Sequence, residues 1–217
     1  MQLDHDPPWA MQLAVRVDKA APPAHSAACE AAAMAVVRLL ADPRASGGEW
    51  REAVDRWEAG RIRKVARRAR GVRWETVQAL PGVTVDHAGA QARAFVPGPV
   101  TDVAPELAKL QVAGLDLPDE EEPGPAPARP YAVIALNPHV TMSTGKAAAQ
   151  SGHAAHLLLR QGGAAADAWR EGGLAVHLLR EARWEDCVGR AAVAVRDAGF
   201  TEVPPGTMTA VAWVEPR

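Results

Sequence analysis

The chain has 217 residues, enough for one large domain or two of about 100 residues each, with ordinary apolar content for burying a core. Its 24 Lys+Arg against 26 Asp+Glu leave a net charge of −2, so the molecule as a whole does not attract a polyanion and any nucleic-acid site must be a local patch. Cys29 and Cys187 stand far apart outside any CxxC spacing, which excludes a structural zinc site; with no basic-then-apolar leader and no apolar run near the ~18 residues that span a bilayer, a reduced, cytoplasmic protein without a membrane partner is expected.

In chain order, Gln12–Asp18 reads as a buried strand, and Ala24-His25-Ser-Ala27-Ala28-Cys29 opens an Ala-rich helix. After Asp55-x-Trp57-x-x-Gly60 comes the densest basic stretch: Arg61, Arg63, Lys64, Arg67, Arg68, Arg70 and Arg73, with no acid among them. Its apolar members Ile62, Val65, Ala66 and Ala69 have helical spacing, whereas comparison with the second half calls for a strand, and both assignments stay open. Such a run can grip a nucleic-acid backbone with salt-sensitive affinity, or serve only as a solvated face. Val83-x-Val85-x-His87 reads as a further strand. Asp116–Pro130 is acidic, then Pro-rich, and predicts a solvated, extended linker. Beyond it, strands are expected near 131–137, 174–180, 192–196 and 207–214, and helices near 145–160, 164–171 and 184–190. That alternation predicts α/β architecture with a mixed sheet covered by helices.

The halves on either side of the linker parallel each other. Gln12–Asp18 matches Tyr131–Asn137, Ala24–Cys29 matches Gly145–Gln150, and Asp55-x-Trp57-x-x-Gly60 matches Asp167-x-Trp169-x-x-Gly172. Arg73-Trp74-Glu75 matches Arg183-Trp184-Glu185, and Val83-x-Val85-x-His87-Ala88-Gly89 matches Val193-x-Val195-x-Asp197-Ala198-Gly199. Matches in one conserved order point to two tandem copies of a mixed β-sheet domain, 9–115 and 131–217, joined by 116–130. The tryptophans sit mostly at matched positions, which favours packing on the sheet over base stacking.

Chemistry concentrates in the second copy. Lys146, Gln150 and His153 (i, i+4, i+7) fall on one stripe of an otherwise Ala/Leu-rich helix. Lys146 would stand in the first turn, where the helix dipole disfavours a cation, so an anion nearby is expected. An ammonium at a helix N-terminus can hold a phosphate or a developing oxyanion. His153 can orient or transfer a proton, or be a satisfied buried histidine. Asp197, at the end of Ala-Val-Ala-Val, can orient water or form an Asx turn with Gly199, and Thr201 offers a hydroxyl close by. In the first copy the stripe reads His25–Cys29–Ala32, and His87 and Gln91 replace Asp197 and Thr201, as in a copy that lost its site and kept its fold. Val140 and Ala147 stand where a phosphate-binding P-loop needs Gly and Ser/Thr, there is no Gly-x-Ser-x-Gly elbow, and His153-x-x-His156 lacks a third metal ligand.

Gly145-Lys146-x-x-x-Gln150-x-x-His153-Ala-Ala followed by Asp197-Ala-Gly-x-Thr201-x-x-x-Pro205-Gly206 resembles the type 2 peptidyl-tRNA hydrolase family over roughly Tyr131–Val214. The departures are Thr144 in place of a second lysine, Gly152 in place of serine and Phe200 in place of arginine. The resemblance implies a peptidyl-tRNA hydrolase that cleaves the ester between peptide and tRNA, with no organic cofactor and no required metal. Family members are typically dimers, so the halves are expected to pack as an internal pseudo-dimer. It assigns Asp197 to activate or orient water with Thr201, Lys146 to the oxyanion or a phosphate, and Gln150 and His153 to the terminal adenosine or to support of Lys146. Arg63, Lys64, Arg67 and Arg68 would then be the tRNA contacts of the degenerate copy. The alternative is a non-catalytic tRNA- or protein-binding module on the same fold.

Overall fold

A computed structural model describes residues 7–119, 124–180, 183–199 and 202–216. The first half runs β1 (Trp9–Arg16), α1 (His25–Ala41), α2 (Pro43–Ser46), α3 (Arg51–Glu58), β2 (Arg63–Ala69), α4 (Gly71–Val77), β3 (Gly82–His87), β4 (Ala90–Phe95), β5 (Gly98–Pro99) and α5 (Pro105–Ala108). The second runs β6 (Tyr131–Leu136), α6 (Thr144–Gln161), α7 (Ala164–Glu171), β7 (Val176–Leu179), α8 (Trp184–Arg190), β8 (Val193–Arg196) and β9 (Met208–Glu215). The second-half elements expected from the sequence are all present. The first half adds α2, β5 and α5, which the sequence reading did not anticipate.

Each half builds a mixed sheet, in the orders β2-β1-β4-β3 and β7-β6-β9-β8, with β5 also pairing with β1. In both, the first strand is parallel to one neighbour (β2 or β7) and antiparallel to the other (β4 or β9). The two orders are the same when read by position in each half. A second correspondence lies in the side chains. Trp57 is fully buried and donates its indole N–H to the Arg63 carbonyl at 3.0 Å; Trp169, also fully buried, does the same to the Ala175 carbonyl at 2.7 Å.

The basic stretch resolves as a strand followed by a helix. β2 pairs in parallel with β1 from Ala10↔Arg63 to Arg16↔Ala69, and it lies at the sheet edge. Charged side chains are at home on an edge strand, where they discourage further pairing. The helical spacing of its apolar residues is overridden because Ala66 and Ala69 serve opposite faces. Ala66 belongs to the central core, and Ala69 packs with Trp74, Val77, Phe95 and Leu107 on the outer face.

The central core lies around α1 and α6, which pack on each other. Both helices contact strands of both sheets: α1 meets β3, β4 and β7, while α6 meets β2, β6, β8 and β9. Period-two alternation sorts the strands: Ala132, Ile134, Ala210 and Ala212 face this core, while Tyr131, Val133, Val211 and Trp213 face α8. Alanines at the helix contact let the backbones approach, and α1 is buried nearly all round. Gly152 allows a close approach, since a Cβ there would meet Val36 Cγ2 at 3.1 Å and Lys64 Cδ at 3.3 Å.

The start of the expected linker is exposed in part but tethered. Leu115 is buried, its carbonyl accepts the Gly145 N–H at 3.1 Å, and the Pro118 carbonyl accepts the His25 N–H at 2.9 Å. Asp119 accepts from the Ser26 hydroxyl and N–H and pairs with Arg180. The N-terminal turns of α1 and α6 are thereby joined through one segment.

Candidate active site

Helix α6 is capped by Ser143, whose hydroxyl accepts the Lys146 N–H at 3.1 Å, the usual N-cap contact. Glu202 reaches back over this cap, accepting the Ser143 N–H at 2.8 Å and its hydroxyl at 2.7 Å. From this first turn the Lys146 ammonium donates to Asp197 Oδ2 at 2.5 Å, with the two side chains 10% and 9% exposed. The anion that the helix dipole calls for is therefore Asp197.

The two Asp197 oxygens have different tasks. Oδ1 accepts the Gly199 N–H at 2.8 Å, the Asx-turn contact, with Gly199 at φ +79°. A side chain at Gly199 would collide with Pro205 at 2.6 Å, so the turn needs glycine on two counts. Oδ2 receives both Lys146 and the Gln150 amide, the latter at 2.8 Å. Burial alone would raise the Asp197 carboxyl. The Lys146 hydrogen bond, the Gly199 N–H, the Lys146 charge and Gln150 outweigh it and hold the group below its ordinary range. Gln150 is itself buried, and its carbonyl oxygen accepts the Thr209 hydroxyl at 2.6 Å. The line Thr209–Gln150–Asp197–Lys146 thus runs from β9 through α6 to the end of β8. Thr209, Ser143 and Glu202 escaped the sequence reading. Only Ser143 had a usable signal there, as a serine just before a helical run.

Lys146, Gln150, His153 and Asp197 line one cleft of about 630 Å³. Its opposite wall comes from the first half: Arg61–Ala66 of β2 and the turn before it, with Val112. Arg63 and Lys64 are therefore brought to the second-half site, but Lys64 does not face out as a surface cation. It is 9% exposed, and its amine lies 3.3 Å from His153 Nδ1 and 3.1 Å from His156 Nδ1. Arg67 and Arg68 are not among the residues lining the cleft. Arg67 bonds Gln12 and the Leu110 carbonyl, while Arg68 bonds the Gly114 carbonyl and Gln111. Thr201 lies outside the described residues, as does Phe200. Among the described residues no group of three or more His, Cys, Asp or Glu could hold a metal ion.

Thr144, where the resemblance expects lysine, is 2% exposed. Its hydroxyl accepts the Leu117 N–H at 2.9 Å and bonds His25 Nδ1 at 2.9 Å. A lysine here would bury a charge, whereas threonine ties α6 to the linker and to α1.

A peptidyl-tRNA hydrolase of Pyrobaculum aerophilum is 39% identical over 93 residues, a match covering 36% of this chain and 78% of that protein. The chain belongs to the peptidyl-tRNA hydrolase family. No protein-family model matches it. The buried Lys146–Asp197 pair lies at the wall of an open cleft. No described helix is long and apolar enough to cross a membrane.

Proposed function

We propose that the chain is a type 2 peptidyl-tRNA hydrolase built as a tandem duplication, in which the halves pack as an internal pseudo-dimer and the second carries the chemistry. The observation that supports this best is the Lys146–Asp197 contact at the wall of a cleft whose other wall belongs to the first half. The matching strand orders and the matching Trp57 and Trp169 hydrogen bonds support the duplication. The cleft volume falls within the range usual for small-ligand sites, sufficient for the end of an acylated tRNA.

In this reading water adds to the ester carbonyl, and charge develops on its oxygen. The Lys146 ammonium stabilises that oxyanion, or a nearby phosphate, and Asp197 holds the ammonium in place. Because Asp197 is kept ionised and below its ordinary range, its part is to orient water and Lys146 rather than to store a proton. Gln150 supports Asp197, since its amide already joins Asp197 to Thr209. Arg61 and Arg63 at the opposite wall lie where the phosphates of the acceptor strand would approach.

The test is release of N-acetyl-amino acid from tRNA by the purified protein, beside an Asp197→Asn variant of equal stability. Turnover by the parent and a large loss in the variant is expected. The second reading, a tRNA-binding module without chemistry, draws on the close mutual neutralisation of Lys146 and Asp197. It would be favoured by tRNA binding with no turnover.

A further inference from the structure

Lys64 is a lysine brought by β2 of the first half into the wall of the second-half cleft, yet turned away from solvent. Gly152 makes room for its stem. Its amine lies 4.7 Å from the centre of the Trp57 ring, and Trp57 in turn stacks on His156 with ring centres 5.1 Å apart. A methionine would fill this space without the cost of desolvating an amine, so the amine calls for a use beyond packing.

We propose, building on the hydrolase reading above, that Lys64 is a positioning residue that sets the tautomer of His153, so that the imidazole presents its Nε2–H to the departing ribose oxygen. The hydrogen bonds fix each proton in turn. Glu58 pairs with Arg160 and accepts from His156 Nε2 at 2.9 Å, so the His156 ring carries its proton on Nε2. His156 Nδ1 is then an acceptor, and Lys64 donates to it. While Lys64 is an ammonium it has only N–H donors, so a second one donates to His153 Nδ1, which leaves Nε2 as the protonated nitrogen of His153. Because Nδ1 is engaged and His153 lines the cleft, Nε2 is the nitrogen that addresses a ligand.

The groups around the amine agree with this. Facing it are His153 and His156 of α6, with Glu58 of α3 behind His156, and Lys146 acts on His153 from two turns earlier. Burial lowers Lys64 well below the usual lysine range, against the pull of Glu58, so its ammonium gives up a proton readily. Burial, Lys64, His156 and Lys146 push His153 well below its ordinary value, so it passes a proton on rather than storing one. In the step itself the bond between the acyl carbon and the ribose oxygen breaks, and the electron pair goes to oxygen. That oxygen takes the His153 Nε2 proton while Nδ1 takes a proton from Lys64. Once product leaves, His153 Nε2 regains a proton from solvent and Nδ1 returns its proton to the Lys64 amine, which restores the starting tautomer and balances the proton shed by the attacking water.

Two readouts test this on the full chain. Nitrogen-resolved NMR of the histidine rings should show both His153 and His156 as Nε2–H tautomers in the parent. In Lys64→Met, His156 should keep that form through Glu58, while His153 becomes a mixture. With N-acetyl-aminoacyl-tRNA, the same variant should lose roughly 10² or more in kcat, little in KM, and the alkaline limb of the kcat–pH profile. A parent His153 with its proton on Nδ1 overturns the proposal without any variant. So does a Lys64→Met protein whose His153 tautomer and pH profile are unchanged. A parent with both expected tautomers but no turnover would instead sink the hydrolase reading and the leaving-group step, while the tautomer assignment would stand.

Discussion

Lys146 and Asp197 are 51 residues apart in the chain and meet at 2.5 Å, with both side chains about nine-tenths buried. In the proposed reaction the ammonium stabilises an oxyanion. Lys146→Ala should therefore lower the rate by roughly 10²–10³, the usual scale for one such donor. Single-turnover release of N-acetyl-amino acid from tRNA would measure this. Near-parental rates in a folded variant would remove Lys146 from the chemistry.

Thr209 supports the pair from behind. Thr209→Val keeps the shape and deletes the hydroxyl, leaving the Gln150 carbonyl oxygen without its 2.6 Å partner in a buried site. The expected cost is about 1–3 kcal/mol of folding stability. Activity should fall as well, because the Gln150 amide that bonds Asp197 is no longer fixed. Urea unfolding beside a rate assay would show whether the two losses occur together.

The cleft wall and the rest of the basic stretch should separate under salt. Arg61 and Arg63 line the cleft, so replacing both by alanine should raise KM for tRNA substrate and flatten its salt dependence by about one to two in log–log slope. Arg67→Ala instead removes contacts to Gln12 and Leu110 within the fold, so it should lower thermal stability and leave the salt slope unchanged. Equal effects of both changes on the slope would overturn this division.

Glu30 of α1 ties the halves together through His87 of β3 and through His177 and the Leu178 N–H of β7. Burial opposes its ionisation, but the hydrogen bonds from His177, His87 and Leu178 prevail and bring it down to about 2. A depressed carboxyl contributes stability that is complete above its unfolded value near 4.5 and is lost as pH falls toward 2. The contribution is on the order of 3 kcal/mol. Denaturant midpoints measured across this window should fall more steeply for the parent than for Glu30→Gln.

The sequence by itself determined the elements of the second half and the stripe Lys146, Gln150 and His153. A helical period of 3.6 places those residues on one face whatever surrounds them. It also offered the turn at Asp197 and Gly199 as one of two readings, and local backbone and side-chain geometry forms it. Arg61–Arg73 could not be assigned locally, because its apolar spacing suited a helix and only pairing with β1 made Arg63–Ala69 a strand. Tertiary structure alone decided the rest of the site. Lys64 meets His153 across 89 residues, and Thr144 meets His25 across 119, through the packing of α6 against β2 and α1. Such contacts depend on how buried faces fit, with no period or spacing along the chain to announce them. The same fit made Lys64 a buried partner of two histidines, although its neighbours in sequence mark it as one more cation in a basic run.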